Sequence, residues 1–142
     1  MTATSFACAP AWRRLMAMLY DTLLVVALVL IATFVVVLAR GLEPVPPANP
    51  WMQGYLFAVV SLFFLWFWTH GGQTLGMRAW RLKLLTNDGQ LIGYPAAVKR
   101  LLASLLSWAV LALGFAWMFI DRDRRAWHDI IAGTRVVLVA KS

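Results

Sequence analysis

Between Leu15 and Ala39 the chain runs for 25 residues with a single charged side chain, Asp21. A membrane-spanning helix needs about 20 mainly apolar residues. This stretch is therefore long enough to cross a bilayer with some tilt. The apolar region of a signal peptide is only about 7–15 residues long. Arg13 and Arg14, just ahead of the stretch, accordingly read as charges that fix helix orientation and not as the head of an export signal. A second stretch, Trp51–Thr69, has 19 residues and no charge. Trp51 and Tyr55 stand at one boundary and Trp66 and Trp68 at the other, as aromatic belts do at the two interfaces. Pro44, Pro46, Pro47 and Pro50 punctuate Arg40–Pro50, so the connection is a loop. A third apolar stretch, Leu101–Ile120, carries Ser104, Ser107 and Gly114.

Composition narrows the class. The 142 residues are 62% hydrophobic and 13% charged, against about 45–50% and about 25% in soluble domains. This argues against a soluble enzyme and against disorder, and the length suits one domain. The formal charge of +7 comes from basic residues flanking apolar stretches. Anionic headgroups of the lipid bilayer, at about 1 kcal/mol per surface Lys or Arg, account for it without nucleic acid as a partner. Cys8 is the lone cysteine, so no disulfide forms within the chain.

The distribution of basic residues chooses a topology. With three full crossings the two sides carry 7 and 6 Lys and Arg residues; if the third stretch returns to its own side they carry 12 and 1. Cytoplasmic loops hold the excess, which favours a third segment, 98–120, that re-enters near Gly114 or lies in the interface. Residues 1–11 are then a cytoplasmic tail, 12–39 and 51–69 cross, and 40–50 is external. The stretch 71–95 does not cross. Trp80-Arg81-Leu82-Lys83-Leu84 alternates as a half-buried strand does, and Asn87-Asp88-Gly89 supplies a hairpin turn. The tail 135–140 is apolar and β-branched and reads as a strand whose natural partner is Trp80–Thr86. The expected class is an all-α membrane protein of two transmembrane helices and a re-entrant or interfacial third segment, with a small cytoplasmic β element.

Three motifs, in this order and spacing, carry a resemblance: Trp12-Arg13-Arg14-Leu15-Met16-Ala17-Met18-Leu19-Tyr20-Asp21, Gly72-Gln73-Thr74-Leu75-Gly76-Met77-Arg78, and Trp127-His128-Asp129-Ile130-Ile131-Ala132-Gly133-Thr134. Over about Pro10 to Val139 the chain resembles the RDD family of bacterial membrane proteins, named for one arginine and two aspartates. The resemblance implies that Arg14 is the arginine, with Arg13 adjacent to it, and that Asp21 and Asp129 are the aspartates. It implies a multi-pass protein of the bacterial plasma membrane and a role in transport of unidentified ligands, with sodium/proton exchange in some relatives. Met77 departs from the family, which often has a basic residue there; Arg78 is adjacent.

Read from the residues alone, Asp21 has two accounts. A carboxylate inside a spanning helix costs about 2.5–3.5 kcal/mol at the centre, so it is an ion or proton site or half of a buried ion pair. Arg14, Ala17 and Asp21 share one helix face, which makes Arg14, or another arginine of that side, its expected partner. Asp129 and His128 either close the mouth of the site near Asp21, or Asp129 caps or pairs locally with Arg124 or Arg125. Gln73 and Thr74 bond backbone in a tight turn out of the second helix; Gly71–Gly76 lacks the Gly-Lys-Ser/Thr of a phosphate loop. With His70 and His128 the sole histidines, no metal or other cofactor is expected, and with no nucleophile–base pair, no enzymatic activity. The expected function is transporter-like or ion-coupling, with a proton or sodium ion as coupling species. Two or three segments cannot shield polar cargo from lipid, so a homo-oligomer or a partner membrane protein is required. The alternative is an accessory or assembly protein that binds another membrane protein or anionic lipid.

Overall fold

The computed structural model describes residues 7–110, 116–122 and 126–139, without the side chains of Trp108 and Met118. Two helices are long and apolar enough to cross a membrane. Helix α1 (Ala11–Ala39) has 29 residues, about 43 Å at about 1.5 Å each. That exceeds the roughly 30 Å hydrocarbon core of a bilayer. Helix α2 (Pro50–Thr69) starts where Asn49 accepts the Trp51 N–H and Pro50 occupies the first turn, a position where proline's missing N–H costs nothing. Both helices turn large apolar side chains outward, among them Leu23, Leu30, Phe34 and Leu62. That inverts a soluble fold and suits contact with lipid or another chain.

The remaining elements gather at the end where α1 begins and α2 finishes. They are α3 (Leu75–Ala79), β1 (Leu82–Thr86), α4 (Tyr94–Ala109), a 3₁₀ turn (Trp117–Phe119), α5 (Trp127–Ala132) and β2 (Thr134–Leu138). The β pair is antiparallel, with Leu82 opposite Leu138, Leu84 opposite Val136 and Thr86 opposite Thr134. The terminal strand thus pairs with the strand expected for it, one residue earlier than its expected start. The expected hairpin over 71–95 takes a different form. Its turn is present, closed by Gly89 N–H to Thr86 carbonyl (2.9 Å) and Thr86 N–H to Gln90 carbonyl (2.8 Å). It leads into α4, however, and the strand opposite β1 comes from the far end of the chain. Sequence alternation marks a strand but not its partner. Cys8 bridges to Val137 on the other edge of β2.

Leu82, Leu84, Val136, Met77, Ile92, Ala97, Ala17 and Trp68 form one buried core at this end. Burying a Leu fully is worth about 1.5–3 kcal/mol, so Leu82 and Leu84 alone anchor β1 beneath the helices. Helix α4 inverts the usual pattern. Ala97, Arg100, Ala103 and Ser107 are buried, while Val98, Leu102 and Leu106 are exposed. Its 16 residues reach about 24 Å, short of a full crossing. Gly114, where a bend is expected, lies outside the described residues.

Candidate functional site

Asp129 lies in the first turn of α5 and is fully buried. One carboxylate oxygen accepts from Arg14 Nη2 of α1 and from the Ala126 N–H (3.0 Å). The other accepts from Arg100 Nη1 of α4. Arg100 Nη1 also donates to Thr134 Oγ1 at the start of β2 (3.1 Å), and its guanidinium lies 5.1 Å over the Trp68 ring of α2. One carboxylate thereby ties α1, α4 and α5 together, and its arginine partner reaches α2 and β2. Gly133, at φ 65°, ends α5 in the left-handed turn that glycine adopts without steric cost, so β2 starts within reach of Arg100. Burial pushes the Asp129 carboxyl up, but Arg100 and then Arg14 outweigh it and hold it well below the usual carboxylate range. His128 Nε2 stands 3.7 Å from the same carboxylate. Burial first, then the Arg100 charge, lowers its pKa to about 3, so the ring is neutral at physiological pH.

Asp21 is surrounded differently. Its carboxylate accepts from Thr74 Oγ1 (2.5 Å) and from the Gly76 N–H (2.9 Å). Among the described residues no arginine bonds it. The expected Arg14–Asp21 pair is therefore corrected: Arg14 bonds Asp129, 115 positions away. Arg14 and Asp21 share a face about 10 Å apart along the helix, but the Arg14 guanidinium is directed to Asp129 of α5. Gly76 permits the approach of α3. A Cβ there would lie 2.4 Å from the Ala17 carbonyl oxygen and 2.8 Å from Asp21 Oδ1. Thr74 also caps α3 by accepting the Met77 N–H (3.2 Å), so one hydroxyl orders the helix and holds the carboxylate.

The other expected residues fall as follows. Gln73 donates to the Leu82 carbonyl (2.7 Å) and secures the turn into β1. Arg13 stacks on Trp12, 5.2 Å from the ring centroid, and takes no place beside Asp129. The local partners expected for Asp129, Arg124 and Arg125, lie outside the described residues; the local cap, on the Ala126 N–H, is present. The three sequence motifs do not include Arg100. The signal that could have found it is the polar stripe Arg100, Ser104, Ser107 along one face of a helix rich in apolar residues. Arg14, Asp21, Thr74, Arg100 and His128 all line one cavity between α1, α2 and α4.

The RDD family model matches residues 8–133. The chain belongs to the RDD family. The chain is also 29% identical over 79 residues to an uncharacterised protein of Rickettsia prowazekii (strain Madrid E). The match covers 56% of this chain and 44% of that protein, so the chain spans less than half the length of that relative. No solved structure matches the chain. Arg14 and Asp129 bond each other, and Asp21 stands apart on neutral donors.

Proposed function

We propose that this RDD protein is a transporter-like, ion-coupling unit of the bacterial plasma membrane, with no enzymatic activity, and that Asp21 is the group that takes up the proton or sodium ion. One observation carries the reading: Asp21 lines a cavity inside the helical bundle and is held by a hydroxyl and a backbone N–H, not by an arginine. A carboxylate neutralised by arginine is a structural tie; one held by neutral donors keeps its own charge change available. The segment 98–120 returns to its own side or lies in the interface, supported by the outward apolar face of α4 and by the 12-to-1 charge split. The N-terminus and the β pair are then cytoplasmic. Two spans cannot enclose a polar path, so the working unit is a homo-oligomer or includes a partner membrane protein. Reconstitution in vesicles with proton and sodium flux as readout tests this. Asp21→Asn keeps shape and hydrogen bonding but cannot ionise; it is expected to reach the membrane at normal abundance and to lose flux. Full flux in a well-folded Asp21→Asn protein would remove Asp21 from the mechanism.

A second reading, an accessory or assembly protein, draws support from the exposed Arg78, Arg81 and Lys99, a basic surface suited to a partner protein or anionic headgroups. It requires Asp21 only for packing and predicts no flux from the wild-type protein.

A further inference from the structure

Of the two arginines that open α1, Arg14 goes to Asp129 and Arg13 does not. The Arg13 guanidinium lies 5.2 Å from the Trp12 ring centroid, and its buried Nε–H has no acceptor among the described residues. The Trp12 ring in turn meets Trp80 edge to face, with centroids 5.6 Å apart and planes at 84°. Trp80 caps the end of α3, so this contact joins the start of α1 to the turn between α3 and β1. Arg78 and Arg81 flank Trp80 in the chain and are exposed. The turn is firmly held: Arg81 sits at φ 57°, a left-handed conformation uncommon outside glycine, and its carbonyl accepts the Val139 N–H (2.8 Å). Three arginines thus flank one indole pair.

No anion of the chain answers them. Among the described residues no carboxylate pairs with Arg13, Arg78 or Arg81. Asp129 is taken by Arg14 and Arg100, Asp21 by Thr74 and Gly76, and Glu43 stands beyond the far end of α1 beside Arg40. A guanidinium stacked on an indole keeps its N–H edge for an oxyanion. In the next two turns of α1 the outward side chains include Leu15, Met16 and Leu19. The oxyanion that fits an arginine corner continued by apolar surface is one that carries acyl chains, and indoles are the rings that settle at headgroup level.

We propose that this corner retains one anionic phospholipid, with its phosphate between Arg13 and Arg81 at the level of Trp12 and its acyl chains along Leu15, Met16 and Leu19. Arginine meets a phosphate through two parallel N–H bonds, which separates a site of this kind from the diffuse attraction of basic residues to a charged surface. A zwitterionic headgroup would bring its own ammonium against the same arginines, so the ligand carries net negative charge. The inference rests on the exposed basic surface behind the accessory reading and goes past it by naming the ligand and its place.

The test titrates delipidated protein in neutral detergent with phosphatidylglycerol and counts bound lipid by native mass spectrometry. Expected is one phosphatidylglycerol retained per chain in preference to phosphatidylcholine. Binding should weaken about fivefold in Arg13→Gln and in Arg81→Asn, the contribution of one surface arginine, and about 25-fold in the double variant. Asn suits the left-handed backbone at position 81, and melting temperatures without lipid check that each variant is folded; if one is not, the other carries the test. Lys99→Gln removes an exposed charge of α4, outside the corner, and should leave binding unchanged. Equal retention of phosphatidylcholine would overturn the proposal, as would an equal loss in Lys99→Gln, which marks diffuse charge. Displacement by the same concentration of inorganic phosphate would give the corner to a soluble anion. Ion flux from the wild-type protein removes the accessory reading and leaves the lipid site standing; absence of selective lipid retention removes the site and leaves that reading to a partner protein.

Discussion

Asp129 and Asp21 are both buried aspartates near the same end of the bundle, yet their surroundings predict opposite responses to substitution. Asp129 balances two buried arginines. Asp129→Asn should leave them uncompensated and cost about 3–5 kcal/mol, as removal of one partner of a buried pair does. The expected outcome is a large fall in melting temperature and membrane abundance, checked by thermal scans in detergent and by immunoblot of membranes. Pairing Arg14→Leu with Asp21→Leu should bring no recovery over either change alone, since the two side chains do not bond. His128 sets a pH dependence. Its folded pKa of about 3 lies below the unfolded value of about 6.5. Between those pH values the unfolded chain binds a proton that the folded chain does not, so acid favours unfolding. The His128 contribution is full above about pH 6.5 and is lost as pH falls toward about 3. Asp129, with its depressed pKa, contributes fully above about pH 3.9 and loses its share only in stronger acid. Melting temperature should therefore decline between about pH 7 and pH 4, and His128→Gln should flatten that decline. An identical slope in wild type and variant would show that another group titrates.

Among the elements, α3 is the smallest and the most tightly placed. Five residues cannot sustain a helix in isolation. It persists through the Thr74 cap and its contact with α1 at Gly76. Gly76→Ala would put a methyl against the Ala17 carbonyl and the Asp21 carboxylate. Backbone cannot yield as a flexible side chain does, so overpacking of about 1–3 kcal/mol should push α3 outward and break the Gly76–Asp21 bond. Expected is a lower melting temperature together with lost ion flux, whereas Ala at the neighbouring, exposed Leu75 should be mild. The β pair is the second joint. It closes the chain by pairing residues from Leu82–Leu138 to Thr86–Thr134, far apart in sequence, and it carries Leu82, Leu84 and Val137 into the core. Deleting residues 134–142 should expose that core and destabilise the protein in detergent; an unchanged melting profile would count against the pairing.

For the whole molecule, the arrangement of elements bears on topology. The β pair joins residues before α4 to residues after α5, so both ends of the third segment belong to one side if the pair forms in the membrane-bound protein. Reporter fusions at Leu42, Asp88 and Ser142 test this. Asp88 and Ser142 are expected on the cytoplasmic side and Leu42 outside; an external Ser142 fusion with Asp88 inside would restore three full crossings. The helices α1, α2 and α4 each turn large apolar side chains outward. Chemical crosslinking in membranes, followed by the mass of the detergent-solubilised species, should return a multimer or a hetero-complex, as an enclosed ion path demands.

The two long helices and the loop between them were legible from composition, because a long, almost uncharged stretch has no comparable alternative to a helix in lipid, and Pro44, Pro46 and Pro47 cannot continue a helix. The strand at Leu82–Thr86 and its partner near the C-terminus were also legible, through alternation and β-branching, which act over a few residues. Asp21 was legible as a costly residue in an apolar helix. Its partners were not. Spacing on one helix points to Arg14, but spacing places residues only on a common face and does not say where a long side chain is directed. Which charge meets which is settled by the packing of α1 against α3, α4 and α5, elements up to 115 positions apart. That packing brings Arg100 to Asp129 and leaves Asp21 to a threonine and a glycine N–H. The sequence by itself determined the two long apolar helices, since each is a local balance between apolar side chains and solvent. Only the tertiary structure decided the charge pairing, since a buried ion takes the partner that the packing of distant elements sets beside it.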